Sequence, residues 1–285
     1  MDYKRIQVLL IVFFLVFDIY LVYQLLAQVD FGRENVANNQ DLVKIEERLD
    51  SRGITLYQEL STDTESLPLI KADYNTVLQD NAGQLVNQIT SVSENGILES
   101  TFAETIDLEG LIASDTAGLS LEQASYLMEN YLSQDEYFIN GDEYRQWWYV
   151  PSTRTIIFWM TAYDGAPIVD GSAEIRISLD EDYNMQSYRQ TYVTDLVAIE
   201  EDEPFDLISQ ENSLEVLDNR LQTFIPSNAY IVHITLSYAQ YTSLNDYQIY
   251  SPVWNVVYSY SDGQVGSMLV DAIRGEVLVR RSNGS

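Results

Sequence analysis

From Gln7 to Ala27 the chain is almost wholly apolar, and a single carboxylate, Asp18, interrupts the run. At about 1.5 Å of rise per helical residue, a stretch of this length crosses a hydrocarbon core of roughly 30 Å. Residues 6–27 are therefore expected to form one membrane span. Lys4 and Arg5 precede it, whereas Asp30 and Glu34 follow it, so the positive-inside bias places residues 1–5 in the cytoplasm and the bulk of the chain outside the membrane. A cleaved signal peptide is the alternative, with Ile6–Phe17 as its h-region. Its small-residue cleavage pattern is replaced by Leu25-Leu26-Ala27-Gln28, which favours an uncleaved anchor.

An ionisable group inside a span costs about 2.5 to 3.5 kcal/mol on insertion scales, so such groups tend to face protein rather than lipid. On a helix, Gln7 shares one stripe with Asp18 and with Phe14, Leu21 and Leu25. That polar stripe predicts a partner helix in the membrane. A protonated Asp18, or one nearer the outer interface, would need no such partner.

The rest of the composition bounds what lies outside. The formal net charge of −29 repels nucleic acid, anionic lipid and anionic wall polymers, and favours cationic or neutral protein partners. The absence of cysteine excludes disulfides, thiolate metal sites and a cysteine nucleophile. A hydrophobic content of 46% is enough to fold, and the 21 tyrosines suit half-exposed sheet faces and interfaces.

The chain then divides into a juxtamembrane linker (28–40), an N-terminal extracytoplasmic segment (41–117), two further units (118–203 and 204–281) and a tail (282–285). Leu42, Ile45 and Leu49, with Gly53 beyond them, predict a short amphipathic helix over Asp41–Arg52. Ile54–Leu60 reads as extended. The remainder up to Thr116 carries weak strand signals, such as Ile97–Phe102, and no assignable topology. Ser120-Leu121-Glu122-Gln123 is a capping box opening a helix that ends near Ser133. Strands are expected at 144–150, 155–161, 173–179 and 185–192. In the third, Ala173, Ile175, Ile177 and Leu179 alternate with Glu174, Arg176 and Ser178, one face buried and one wet. After the acidic Glu200–Pro204, the order recurs: a helix over Ser209–Thr223, then strands at 229–238, 253–260, 267–271 and 276–280. A helix followed by a four-stranded antiparallel meander thus occurs twice, an internal duplication of α+β class.

Little here suggests catalysis. His233, the only histidine, alternates with Val232 and Ile234 on a strand, a place for a surface or interface residue rather than a general base. No nucleophile elbow, zinc-protease helix, phosphate loop or dinucleotide fingerprint is present. Asp180, Asp182 and Asn184 match the start of a calcium loop, but Met185 and Thr191 stand where its glycine and bidentate glutamate belong. No cofactor and no metal is expected. Trp147, Trp148 and Tyr149 offer an aromatic surface for an extracytoplasmic protein contact, with a sugar platform as the other use.

Several stretches together carry a resemblance: the anchor through Phe17-Asp18-Ile19-Tyr20-Leu21, Glu46-Glu47-Arg48-Leu49 with Gly53-Ile54-Thr55, Ile156-Ile157-Phe158 leading to Tyr163-Asp164-Gly165-Ala166-Pro167-Ile168, Ser187-Tyr188-Arg189-Gln190-Thr191-Tyr192, and Tyr250-Ser251-Pro252-Val253-Trp254-Asn255-Val256. In this order they resemble the YycI family, and the last unit is similar to a PepSY-type domain. The resemblance implies a single-pass, non-enzymatic protein of the Gram-positive cell membrane. It would pair with a YycH-like protein and act on the sensor histidine kinase WalK, also called YycG, of the essential cell-wall two-component system. The alternatives are an anchored PepSY-type protease inhibitor or chaperone, and a wall-carbohydrate-binding module.

Overall fold

The computed structural model describes residues 44–108, 110–112, 119–199, 205–219, 222–244, 246–261 and 263–278. The apolar stretch with Gln7, Phe14, Asp18, Leu21 and Leu25, the linker to residue 40 and the acidic Glu200–Glu203 lie outside them. No helix among the described residues is long and apolar enough to cross a membrane.

Helix α1 (Ile45–Ser51) buries Ile45 and Leu49, with Lys44 outside its first turn. It stops at Gly53, whose φ of +71° is the left-handed conformation a C′ glycine adopts at little cost. Strands β1 (Thr55–Leu56) and β2 (Ile70–Asp73), the one-turn helix α2 (Val77–Asn81), and strands β3 (Gln88–Val92) and β4 (Leu98–Ile106) follow. Of the extended stretch expected at 54–60, only β1 pairs as a strand.

Helix α3 (Leu121–Leu127) starts from the expected capping box: the Gln123 backbone N–H donates to Ser120 Oγ at 3.2 Å, and the Ser120 N–H to Gln123 Oε1 at 2.8 Å. It continues as a π-helical turn over Met128–Leu132. Strands β5 (Tyr144–Val150), β6 (Thr155–Met160), β7 (Glu174–Leu179) and β8 (Met185–Gln190) match the expected runs to within two residues, and β9 (Thr194–Ala198) comes after them. Helix α4 (Gln210–Leu217) is shorter than the sequence predicts. The chain leaves the helix at Asp218, which turns to Arg48 and Arg52 and opens a tight hairpin of β10 (Asp218–Asn219) and β11 (Gln222–Thr223). Strands β12 (Tyr230–Ser243), β13 (Tyr247–Ser259), β14 (Val265–Asp271) and β15 (Glu276–Leu278) complete the fold, the first two running well beyond their expected bounds.

The result is a sheet-dominated mixture of strands and few helices. One sheet has the order β3-β4-β8-β7-β6-β5, and the other runs β1-β12-β13-β14-β15, with β2 on the far half of β13 and β9 beyond it. Both expected meanders, β5 to β8 and β12 to β15, are consecutive and antiparallel. The N-terminal segment supplies strands to both sheets. Its β1 pairs in parallel with β12, while β2 and β9 pair with each other. The chain that builds the first sheet therefore leaves and re-enters the second sheet side by side.

Alternation along the strands sorts the residues into layers. Ile175, Ile177, Phe158 and Tyr188 form the inner face of the first sheet, on the side of Leu127, Leu132 and Phe138, all nearly or fully buried. Phe138 packs on Tyr188 with ring centroids 4.5 Å apart. On the second sheet, Ile234, Trp254, Val256 and Val270 face α1 and α4. Trp254 Nε1–H donates to the Ile208 carbonyl at 2.8 Å, and Gln210 Nε2–H to the Ile234 carbonyl at 3.1 Å. Each fully buried aliphatic or aromatic side chain of this kind contributes about 1.5 to 3 kcal/mol.

The opposite face of the second sheet meets the first. Val169, Ala239, Val253 and Leu269 form a smaller buried cluster against which Trp159 of β6 packs. The β6–β7 connection is stitched to β12: the Tyr238 N–H donates to the Pro167 carbonyl at 2.8 Å, the Val169 N–H to the Tyr238 carbonyl at 3.0 Å, and the Gln240 N–H to Asp170 Oδ2 at 2.7 Å.

Candidate functional site

The expected aromatic surface lies on β5, the edge strand of the first sheet, and its three members have different fates. Tyr149 is only 6% exposed. Trp147 is half-buried and packs against the main core. Trp148, on the outer face, lies against His233 of β12, with ring centroids 5.8 Å apart and planes 25° from parallel. The His233 Nε2 atom also contacts the Thr235 hydroxyl two residues along the same strand face. Burial lowers the His233 pKa from its usual value, which favours the neutral ring at the sheet-to-sheet seam.

The strand pairing extends Trp148 into a row across the outer face of the first sheet. Ser91 pairs with Glu99, Glu99 with Arg189, Arg189 with Arg176, Arg176 with Ile157, and Ile157 with Trp148. The second sheet covers the row at its Trp148 end. Beside it, Glu174 is 5% exposed although it alternates with Arg176 and Ser178 on the face expected to be wet. The reason is Trp159, directly opposite on β6: its indole N–H donates to Glu174 Oε2 at 3.2 Å, while Arg176 Nε–H donates to Glu174 Oε1 at 2.7 Å.

A second polar cluster joins the start of the described chain to the α4 hairpin. Asp218, whose side chain is 5% exposed, accepts Arg52 and lies 3.4 Å from Arg48 Nε. Arg52 also donates to the Ile225 carbonyl. These arginines belong to α1 and its C-terminal turn, the first helix described after the apolar stretch, so that helix is clamped to the α4 hairpin. Nothing local in Glu46-Glu47-Arg48-Leu49 marks this role, because the partner lies about 170 residues away, a separation of 166 for Arg52 and Asp218.

The calcium-like stretch is a turn. Asp180 Oδ1 accepts the backbone N–H groups of Asp182 and Asn184, both at 2.9 Å, which commits that carboxylate oxygen to its own loop. Among the described residues, no group of three or more histidine, aspartate or glutamate side chains converges as metal ligands would.

The arrangement is one of packed polar rows and clamps. The family model described as "YycI protein" matches residues 33–273. No curated protein matches. Among solved structures, an uncharacterized protein from Eubacterium rectale ATCC 33656 is similar at 15% identity and a TM-score of 0.42, covering 79% of this chain and 89% of that one. The Bacillus megaterium YpeB C-terminal domain is similar at 11% identity and a TM-score of 0.31, covering 67% and 79%. With the family model spanning most of its length, the chain belongs to the YycI family.

Proposed function

We propose that this protein is a non-enzymatic, membrane-anchored regulator of the essential cell-wall sensor histidine kinase, acting together with a YycH-like protein through its span and its outer region. Family membership over residues 33–273 is the observation that carries this reading. A sensor kinase is a two-state device, and an auxiliary protein biases it only by binding one state more tightly. Two features supply means for that. The Gln7, Phe14, Asp18, Leu21 and Leu25 stripe is suited to hydrogen-bonding and packing beside partner spans. The Arg48 and Arg52 clamp on Asp218 holds helix α1 firmly to the α4 hairpin, giving an outer partner a fixed element to bind. Of the aromatic run, Trp147 and Trp148 keep part of their surface exposed at the edge strand β5, where an outer partner would reach them.

The test is co-purification of the full-length protein from membranes, wild type beside Asp18→Leu, with mass spectrometry of what accompanies it. Recovery of the YycH-like protein and the kinase with wild type, and their loss with the variant, is expected. Recovery of both partners with the variant moves the contact to the outer region, and recovery with neither protein removes the kinase reading.

A further inference from the structure

Every strand of the first sheet, β3 to β8, lies in the chain between β2 and β9. That sheet is therefore an insert, joined to the second by two neighbouring crossings, residues 74–76 and 191–193. The crossings are tied to each other, since Asn75 Nδ2–H donates to the Tyr192 carbonyl at 3.2 Å. Beside them the β2–β9 pairing loses register between Lys71 and Asp73, and Asp195 has a left-handed φ of +54°. Such a bulge bends a strand locally, and a few positions at the ends of elements are enough to absorb a domain motion. The remaining connection, the bridge from Ile168 to Tyr238, sits at the same end of the seam. Tyr238 and Gln240 pair with Pro252 and Tyr250, and Tyr250 pairs in turn with Ile70 of β2.

Away from that end the seam is held weakly. Its face on the second sheet runs through Ser237, Thr235 and His233 of β12, opposite Val253, Asn255 and Val257 of β13. The apolar cluster there has four buried members, whereas the core on the other face is continuous and large. Two buried polar atoms in the seam, Trp148 Nε1 and Asn255 Oδ1, have no hydrogen-bond partner among the described residues. Burying such groups costs free energy that an open, wet seam would return. The Trp148–His233 stack joins the sheets at the end away from the crossings.

We propose that the two sheets form a hinged pair, the seam opening from its Trp148–His233 end while the first sheet pivots about the crossings at Asn75 and Tyr192. Each sheet keeps its own strand pairing. Opening bares Ala239, Val253, Leu269 and Trp159, an apolar strip that the closed form hides. Small, partly polar contacts between units of one chain permit such motion by default. The seam is then a two-state element, and any contact that prefers one state shifts its population. This holds whether or not the kinase is the partner.

The experiment is thiol labelling of the full-length protein in detergent micelles. The chain has no cysteine, so one engineered thiol reports on its own site. Leu269→Cys faces the seam, and Val270→Cys, the next residue of β14, faces the main core; both positions are buried. Leu269→Cys should label about tenfold faster than Val270→Cys and with a weaker urea dependence, because opening exposes less surface than unfolding. Asp218→Ala weakens a junction that the open form retains. It should speed labelling of Val270→Cys and leave that of Leu269→Cys unchanged, whereas His233→Ala should speed both. Equal labelling of the two thiols, or an equal response of both to Asp218→Ala, ties the seam to global unfolding and overturns the proposal. So does labelling of Leu269→Cys that ignores His233→Ala, which would be local fraying of β14.

Discussion

Trp148 of the first sheet and His233 of the second stack with 5.8 Å between ring centroids and join the two sheets at the covered end of the row. A double-mutant cycle with Trp148→Ala and His233→Ala should give a coupling of about 0.5 to 1.5 kcal/mol, the range for aromatic pairs. Trp148→Ala alone should cost about 2 kcal/mol, less than a fully buried aromatic because the side chain is half-exposed. Urea denaturation of the four proteins measures both quantities, and zero coupling would mean that the stack is incidental.

Asp218 joins α1 to the α4 hairpin, and removing it should undo that junction. Its carboxylate is nearly fully buried against two arginines that remain 21 to 23% exposed, so Asp218→Ala should cost about 2 to 3 kcal/mol, at the low end of what a broken buried pair costs. Arg48→Ala should cost about 1 kcal/mol, because Arg52 still holds the carboxylate. Hydrogen exchange offers the local readout: amides of Ile45–Ser51 should lose protection in Asp218→Ala well before those of β13.

Gly141 lies where α3 ends against the start of β5, and a β-carbon there would sit 2.0 Å from the Leu132 carbonyl oxygen. Backbone cannot yield as a side-chain tip can. Gly141→Ala should therefore destabilise by about 2 to 3 kcal/mol, read as a lowered melting temperature, and a neutral effect would show that the π-helical turn can shift.

Buried phenols set the alkaline limit, Tyr144, Tyr188 and Tyr250 among them. Burial pushes the pKa of Tyr144, Tyr188 and Tyr250 above the usual value, with Asp170 adding to the effect at Tyr250. Each hydroxyl has a partner: Tyr144 donates to the Thr191 carbonyl at 2.6 Å, Tyr188 to the Tyr137 carbonyl at 2.8 Å, and the Tyr250 hydroxyl lies 2.9 Å from Ser172 Oγ. In the unfolded chain they ionise near pH 10, so above that pH the unfolded state releases protons that the folded state keeps. Stability should be full below about pH 10 and fall above it, by up to about 1.4 kcal/mol per pH unit for each tyrosine. Guanidinium melts at pH 8, 10 and 11 test this, and replacing Tyr188 by Phe should flatten the fall.

What the sequence revealed and what it hid divide by range. The capping box at Ser120 and Gln123, the left-handed stop at Gly53 and the strands of both meanders depend on neighbours a few residues apart, and each has the expected form. The end of α4 does not, because Asp218 answers to Arg48 and Arg52 rather than to helical periodicity. Nor was the topology of residues 54–117 legible. Strands β1 and β2 are only two and four residues long, and β1, β2 and β4 take partners from β12, β13 and β8, which no local pattern encodes. At the site, the alternation of Glu174, Arg176 and Ser178 marked the outer face correctly, but only the opposing Trp159 explains why Glu174 is buried there. The aromatic run at Trp147–Tyr149 was visible as composition, while its division between core and seam depends on the fold of β12.

The side-by-side exit and return of β2 and β9 bears on how the protein is made. Synthesised from its N-terminus, the chain delivers α1, β1 and β2 first, yet their partners Asp218, β12 and β13 arrive last. The first sheet can complete itself in the interval, since β3 to β8 are contiguous in the chain. The second sheet must wait: β2 gains β9 once the first sheet is made, but β1 stays unpaired and the first helix unclamped until β12 and Asp218 arrive. A nascent chain of this kind exposes strand edges for longest nearest its own start, which is where a binding partner or chaperone present during synthesis would have most to protect.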